Sequence, residues 1–177
     1  MTISPAQSIK VTYLERSHKD IDTPAIVTED YFELDICGGE SIFYSVNARS
    51  FQEKKDSLKR IGESVSEHPE IVSRYTNIKP VQTRIAKNYP KRGVYTCSDY
   101  IMTRMFYEDY MPYISWKLKP ESREIGGYLC QMAEGELYGR MWSVWYTEDI
   151  PISDGPWLLH GLPGLILEAV DKEYIFH

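Results

Sequence analysis

A chain of 177 residues has the length of one domain, with enough material to bury a core without disulfide or metal staples. Its net charge of −6 argues against nucleic acid or an anionic membrane surface as partner, since both reward clustered Lys and Arg. The 14 Tyr, 5 Phe and 4 Trp suit sheet surfaces and amphipathic pockets, and no apolar run approaches the ~20 residues of a membrane-crossing helix. The longest apolar run, Trp157 to Leu167, is broken by His160 and by Gly161-Leu162-Pro163-Gly164. Met1 to Lys10 is polar and lacks the apolar region of a signal peptide. Cys37, Cys97 and Cys130 are an odd number with no CxxC, which leaves the redox compartment open.

In chain order, Ile9, Val11 and Tyr13 alternate with polar neighbours and predict a first strand. Phe32, Leu34 and Ile36 against Tyr31, Glu33 and Asp35 predict a second, and Ile42, Tyr44 and Val46 a third. Gly38-Gly39 between them is a hairpin signal. One amphipathic helix follows, over about 50–67. Ser50 and Glu53 have capping-box spacing, Phe51, Leu58, Ile61 and Val65 recur at helical intervals, and His68-Pro69 ends the run. Ile71 to Arg92 is polar, holds Pro80 and Pro90, and reads as an excursion without regular structure.

Strands return from Gly93. Tyr95-Thr96-Cys97 begins one, and Ile101, Thr103, Met105 and Tyr107 mark the next. Ile114, Trp116 and Leu118 mark another that ends at Pro120. Tyr128, Cys130 and Met132 lie on one more, which Gly135-Glu136 turns towards a strand from Leu137 to Thr147. Pro151, Pro156 and Pro163 make the segment after Ile150 a rigid connector, and Leu165 to Val170 is a final strand. Short turns between successive strands predict a mainly β (α+β) domain: a single curved antiparallel sheet with the 50–67 helix against one face. An open half-barrel, like that of periplasmic lipoprotein carriers, is the suggested shape by analogy.

The last third carries a family pattern. Gly127-Tyr128-Leu129-Cys130-Gln131-Met132-Ala133, Gly139-Arg140, Trp145-Tyr146-Thr147, Ile150-Pro151-Ile152 and Gly155-Pro156-Trp157 precede Gly161-Leu162-Pro163-Gly164-Leu165-Ile166. These blocks, in this order, resemble the GLPGLI family of bacterial proteins (Porph_ging). Towards the N-terminus only Phe43-Tyr44-Ser45 is similar. The resemblance implies an exported protein of a Gram-negative bacterium, periplasmic or secreted, and brings no settled activity with it. It also implies that Met1 is an added start on a mature fragment, and that family members continue past His177, where Tyr174-Ile175-Phe176 stops inside a strand-like run.

Several constellations have both a chemical and a structural reading. Cys130, His160 and Asp149 or Asp154 supply the residue types of a thiol hydrolase, but Cys130 between Tyr128 and Met132 suits an inert buried position. His18, His68, His160 and His177 offer no chelating pair, so no metal is expected, and no cofactor motif appears. Gly161 to Gly164 lacks the Lys-Ser/Thr of a phosphate loop. Arg140, in an aromatic strand, fits a ligand carboxylate, or else pairs with Asp149 or Asp154 or stacks on Trp142.

The leading expectation is a non-enzymatic exported binding or accessory protein of the cell envelope. Its partner would be an apolar or amphipathic small ligand or peptide, or an outer-membrane protein. Arg140, Trp142, Trp145, Trp116 and Tyr128 are the expected ligand contacts, and across a cavity Leu58, Ile61 and Val65 of the helix are expected to face Trp116, Tyr128 and Trp142 or Trp145. Cys130, Gly155, Pro156, Trp157 and Gly161 to Ile166 are the motif positions. The alternatives are a thiol hydrolase using Cys130 and His160, and a purely structural accessory of an envelope complex.

Overall fold

The computed structural model describes residues 8–18, 27–78, 82–100 and 104–171. Among these residues ten strands form two antiparallel sheets. The first holds β1 (Ile9–His18), β2 (Val27–Cys37), β3 (Glu40–Ser45), β4 (Arg84–Lys87), β5 (Val94–Tyr100) and β6 (Arg104–Tyr110), side by side in chain order. The second holds β7 (Lys117–Ile125), β8 (Tyr128–Leu137), β9 (Arg140–Thr147) and β10 (Leu165–Asp171), with β10 and β7 at its edges. The chain is thus mainly β, as its patterning predicts, but its strands divide between two sheets where one was expected, and neither sheet closes into a barrel.

Alternation sets which face is buried. Phe32, Leu34 and Ile36 of β2 point into the core, and the ladder pairs Leu34 with Phe43. Ser41, Phe43 and Ser45 are therefore the core-side residues of β3, rather than Ile42 and Tyr44, whose ladder partners Asp35 and Glu33 lie on the outer face. The second sheet contributes Ala133, Leu137, Trp142, Val144, Tyr146, Leu165 and Ile166, and Leu158, Leu159 and Leu162 of the connector join them. Both sheets share this one cluster. The Tyr13 hydroxyl bridges them by donating to the Ile166 carbonyl at 2.7 Å.

The expected hairpin forms, with Cys37 opposite Glu40 and φ of +62° at Gly38 and +88° at Gly39. Two consecutive positive φ values are the geometry in which glycine costs least. The turn expected at Gly135-Glu136 falls instead at Tyr138-Gly139, because β8 runs on to pair Leu137 with Arg140.

The helix starts earlier than its sequence suggests. α1 spans Val46–Arg60, capped by Ser45, whose Oγ accepts from Ala48 N at 3.1 Å. Glu53 pairs with Arg49 one turn back and closes no capping box. Gly62 and Glu63 donate to the carbonyls of Lys59 and Leu58, a Schellman ending before a 3-10 turn at Val65–Glu67. Pro69, expected as a stop, opens α2 (Pro69–Ile78), where its missing N–H costs nothing. The stretch read as irregular thus holds α2 and β4. Ile114 and Trp116 precede β7, and Pro120 lies within it, at a break in register between Leu118 and Ser122. The expected strand run at 101–103 and that at 174–176 lie outside the described residues.

α1 buries no residue fully and packs on β2, β3 and α2. Ile61 is 68% exposed, and Phe51 meets Tyr75 of α2 at a ring separation of 4.7 Å. The expected facing of Leu58, Ile61 and Val65 against Trp116, Tyr128, Trp142 and Trp145 does not occur. The apolar face opposite each sheet is the other sheet.

Candidate functional site

The connector between β9 and β10 is stitched down by its own backbone. Ile150 O accepts from Ile152 N and Leu165 N, and Asp154 O accepts from Ile166 N at 3.0 Å. Three prolines leave fewer N–H groups to satisfy, and Leu158, Leu159 and Leu162 anchor the loop in the core. Into this loop reaches Lys87, the last residue of β4 and 1% exposed. Its ammonium donates to the Asp154 carboxylate and, at 2.6 Å, to the Gly155 carbonyl. Asp154 Oδ1 also accepts from Gly155 N.

Two further titratable groups feel this pair. His160 is half-buried, and its Nδ1 is buried without a hydrogen-bond partner. Burial and the nearby Lys87 charge push its pKa down, against an opposing pull from Asp154. The Tyr13 hydroxyl is pushed well above its ordinary pKa by burial and by the Asp154 charge. The Lys87 ammonium is itself pushed down by burial, and Asp154 opposes the shift. Amine, carboxylate, imidazole and phenol therefore gather where β1, β4 and the connector meet. Those are residue types of acid–base chemistry, but Lys87 is enclosed and its donors point at Asp154 and Gly155. The arrangement pins the connector to the first sheet. Lys87 had no signal in the sequence, because a lysine in a short polar stretch reads as solvated.

The expected ligand residues do not gather at one place. Arg140 Nη1 donates to Asp171 Oδ2 at 2.7 Å, and that carboxylate is 1% exposed, so the partner is neither Asp149 nor Asp154. Trp142 is buried and tilted against Trp157 at 5.8 Å, with its indole N–H unpartnered. Trp145 lies on the opposite face of β9, where the Arg123 guanidinium stacks on it at 4.2 Å and pairs with Glu168. Trp116 donates from Nε1 to the His160 carbonyl at 2.8 Å, and its ring occupies the space a Cβ on Gly135 would need. Tyr128 sits at the β7–β8 turn, 39% exposed.

The motif positions pack closely within and around the connector. Gly155 lets the loop pass Ile166, whose Cβ would lie 2.7 Å from an added Cβ. Pro156 O accepts from Leu159 N in the turn that follows. Trp157 holds a φ of 51°, unusual for a bulky residue, between Tyr138 and Trp142. Gly161 N donates to Ser153 Oγ, Leu162 is buried, and Pro163 is exposed. Gly164 lies against the Thr147 carbonyl so closely that a Cβ would overlap it. Leu165 and Ile166 are fully buried.

Cys130 is buried but stands apart from the shared core: the ladder pairs it with Arg123 and puts it on the Trp145 side of the sheet. No hydrogen bond or charge interaction joins it to His160, and burial raises the thiol pKa. Among the described residues no three His, Cys, Asp or Glu converge as a metal-holding set, and no helix is long and apolar enough to cross a membrane.

At the far end of the first sheet, β6 overhangs the shared core, to which none of its residues belongs. All its side chains from Met105 to Tyr110 are exposed, Phe106 by 68% and Tyr110 by 73%, and Tyr113 just beyond is 89% exposed.

Fold and site together define a two-sheet antiparallel β protein with a helical insertion, its Gly- and Pro-rich connector locked into the core. Residues 139–168, which hold that connector, match a family described as "Protein of unknown function (Porph_ging)", the family the motifs resemble. No curated protein matches the chain. Similar solved structures include PNGF-II in the C2 space group, 14% identical, with a TM-score of 0.60 over 94% of this chain and 26% of that one. PNGF-II in the P21 space group gives 14% identity and a TM-score of 0.59 over 97% and 27%. The chain therefore spans under a third of those proteins, and at this identity the likeness is one of fold alone.

Proposed function

We propose that the protein is a non-enzymatic binding or accessory module of the bacterial cell envelope, exported, and that it recognises a polypeptide partner through its surface. The observation that carries this reading is the apolar overhang of β6, where Met105, Phe106, Tyr107, Tyr110 and Tyr113 lie exposed together. Patches of this kind mark interaction sites more often than chance. Two features support surface recognition over an internal cavity: Trp142 and Trp116, meant to line a cavity, pack into the common core, and Arg140 is held by Asp171. Cys130, covered and raised in pKa, gives the thiol-hydrolase alternative no nucleophile that is both exposed and ionised. Export rests on the family likeness.

The test is a native mass spectrum of the protein isolated from the envelope of its own bacterium. A bound polypeptide of fixed stoichiometry is the expected result. A small apolar adduct, or protein found alone in the cytoplasmic fraction, would overturn it.

A further inference from the structure

The β6 edge has a specific chemistry. Four strands border the two sheets among the described residues, and three carry devices that discourage another strand from pairing. β1 bears Lys10 and Arg16. β7 bears Lys117, Lys119 and Pro120 and a register break. β10 carries a register shift between Ile166 and Glu168. β6 has no proline or lysine, its one basic residue is Arg104 at its first position, and its pairing runs without a shift from Val94–Tyr110 to Tyr100–Arg104.

From Met105 to Tyr110 the strand's charges are both negative, Glu108 and Asp109. Pairing with Cys97 and Tyr95 puts Met105, Tyr107 and Asp109 on the core-side face, and Phe106, Glu108 and Tyr110 on the other. Each face therefore offers apolar surface and one carboxylate. Asp109 caps the Tyr110 N–H at 2.7 Å, and neither carboxylate joins an ion pair among the described residues. Lys91 lies over the Tyr110 ring at 5.8 Å, so the basic side chain nearby sits beyond the carboxylates at the strand's end.

We infer that β6 accepts an extended segment of a basic partner protein as a seventh, antiparallel strand. Opposite Asp109 and Glu108 that segment carries two consecutive basic residues, and opposite Tyr107, Phe106 and Met105 three apolar ones, read from its N-terminus. Backbone hydrogen bonds to the open edge supply affinity, and the two charges and three apolar contacts supply register and choice. A second copy of this chain is a poor occupant, since it brings its own net charge of −6 and a β6 with the same two carboxylates. The inference rests on the reading of the protein as a binding module and names the surface and the partner's chemistry.

The experiment titrates the full chain with two synthetic peptides, Ser-Lys-Arg-Val-Tyr-Val-Thr and its counterpart with Glu-Glu in place of Lys-Arg, following backbone amide NMR signals. The basic peptide should bind at least tenfold more tightly and shift signals within 104–110. In the exposed double variant Glu108→Lys/Asp109→Lys, with melting temperature preserved, the preference should invert. Equal affinity for both peptides, shifts confined to other strands, or a β6-mediated dimer without peptide would overturn the inference. An envelope-isolated partner that still binds the double variant would refute this edge while leaving the binding-module reading intact. Absence of any envelope partner would refute that reading even if the peptides discriminate.

Discussion

Lys87 at the end of β4 and Asp154 in the connector form an ion pair inside the protein, with the lysine 1% exposed. One cation thereby joins the first sheet to the loop that closes the second. Desolvating an ammonium is costly, and the pair offsets that cost only while both partners are present. Asp154→Ala should therefore lower stability by about 3–5 kcal/mol, because it leaves the Lys87 charge buried with the Gly155 carbonyl as its remaining neighbour. Lys87→Met combined with Asp154→Leu should recover most of that loss. Urea unfolding of the wild type, Lys87→Met, Asp154→Leu and the double variant gives the coupling directly, and additive single losses would show that the pair does not act as a unit.

His160 predicts an acid limb in the stability profile. Its folded pKa is pushed down, while the unfolded chain has the ordinary value near 6.5. The unfolded state therefore binds the extra proton first, so stability falls as pH drops below about 6.5 and levels off below the folded pKa. The groups acting on the imidazole are Lys87 from β4, which disfavours its protonation, and Asp154 from the connector, which favours it. His68 works in the opposite sense, since Glu63 and Glu70 raise its pKa, but its carboxylate partners are exposed and water screens them, so it contributes little. Melting curves between pH 5 and 8 should flatten in His160→Gln. An unchanged slope would place the effect elsewhere.

Gly164 makes the sharpest steric prediction. A Cβ there would strike the carbonyl of Thr147, which is backbone and has no rotamer to turn away. Gly164→Ala should cost at least about 3 kcal/mol, the upper range for overpacking. Gly127→Ala, in an open turn with φ of +85° and nothing within reach of an added methyl, should cost only about 1 kcal/mol through its backbone angle. Thermal melts of the two variants side by side test the contrast, and equal losses would mean that the Gly164 approach is relaxed.

Strand existence was legible because strands repeat at period two, but facing was less so. Where both sets of alternate residues are large, as in Tyr128, Cys130 and Met132 against Gln131 and Ala133, periodicity does not say which set meets the core. The ladder puts Ala133 and Leu137 inside. The division into two sheets was also hidden, since a meander pattern is the same whether strand seven joins strand six or starts again. β4 is four residues long and buries a lysine, so neither its length nor its polarity betrayed it. Ser45 outcompeted Ser50 as the helix cap because it already stands at the end of β3, donating from Oγ to Asp30 while accepting from Ala48 N. The connector was the most legible part: proline and glycine restrict the backbone locally, and that restriction shows in sequence. Arg140 was singled out, but the expected last strand stops at Val170, one residue short of its partner Asp171 at the buried end of β10.

The three cysteines allow a test of the second sheet's outer face. Cys37 is the last residue of β2 and is exposed, whereas Cys97 and Cys130 are buried. Burial is the leading influence on both buried thiols and raises their pKa, and for Cys130 the Arg123 charge opposes it. Alkylation needs an exposed thiolate, so iodoacetamide near neutral pH should modify Cys37 in the native protein and the other two only on unfolding. Cys130 depends on a small cover, because its face lies away from the shared core and holds Arg123 stacked on Trp145 and paired with Glu168. Arg123→Ala should therefore speed labelling at Cys130 by roughly tenfold or more while Cys97 stays protected, a local opening rather than a global one. Cys130→Ala should cost only about 1 kcal/mol, as for deletion of one small buried group. Labelling of native Cys130 as fast as that of Cys37, read by peptide mass spectrometry, would show that the cover does not exist and would restore Cys130 as a candidate nucleophile.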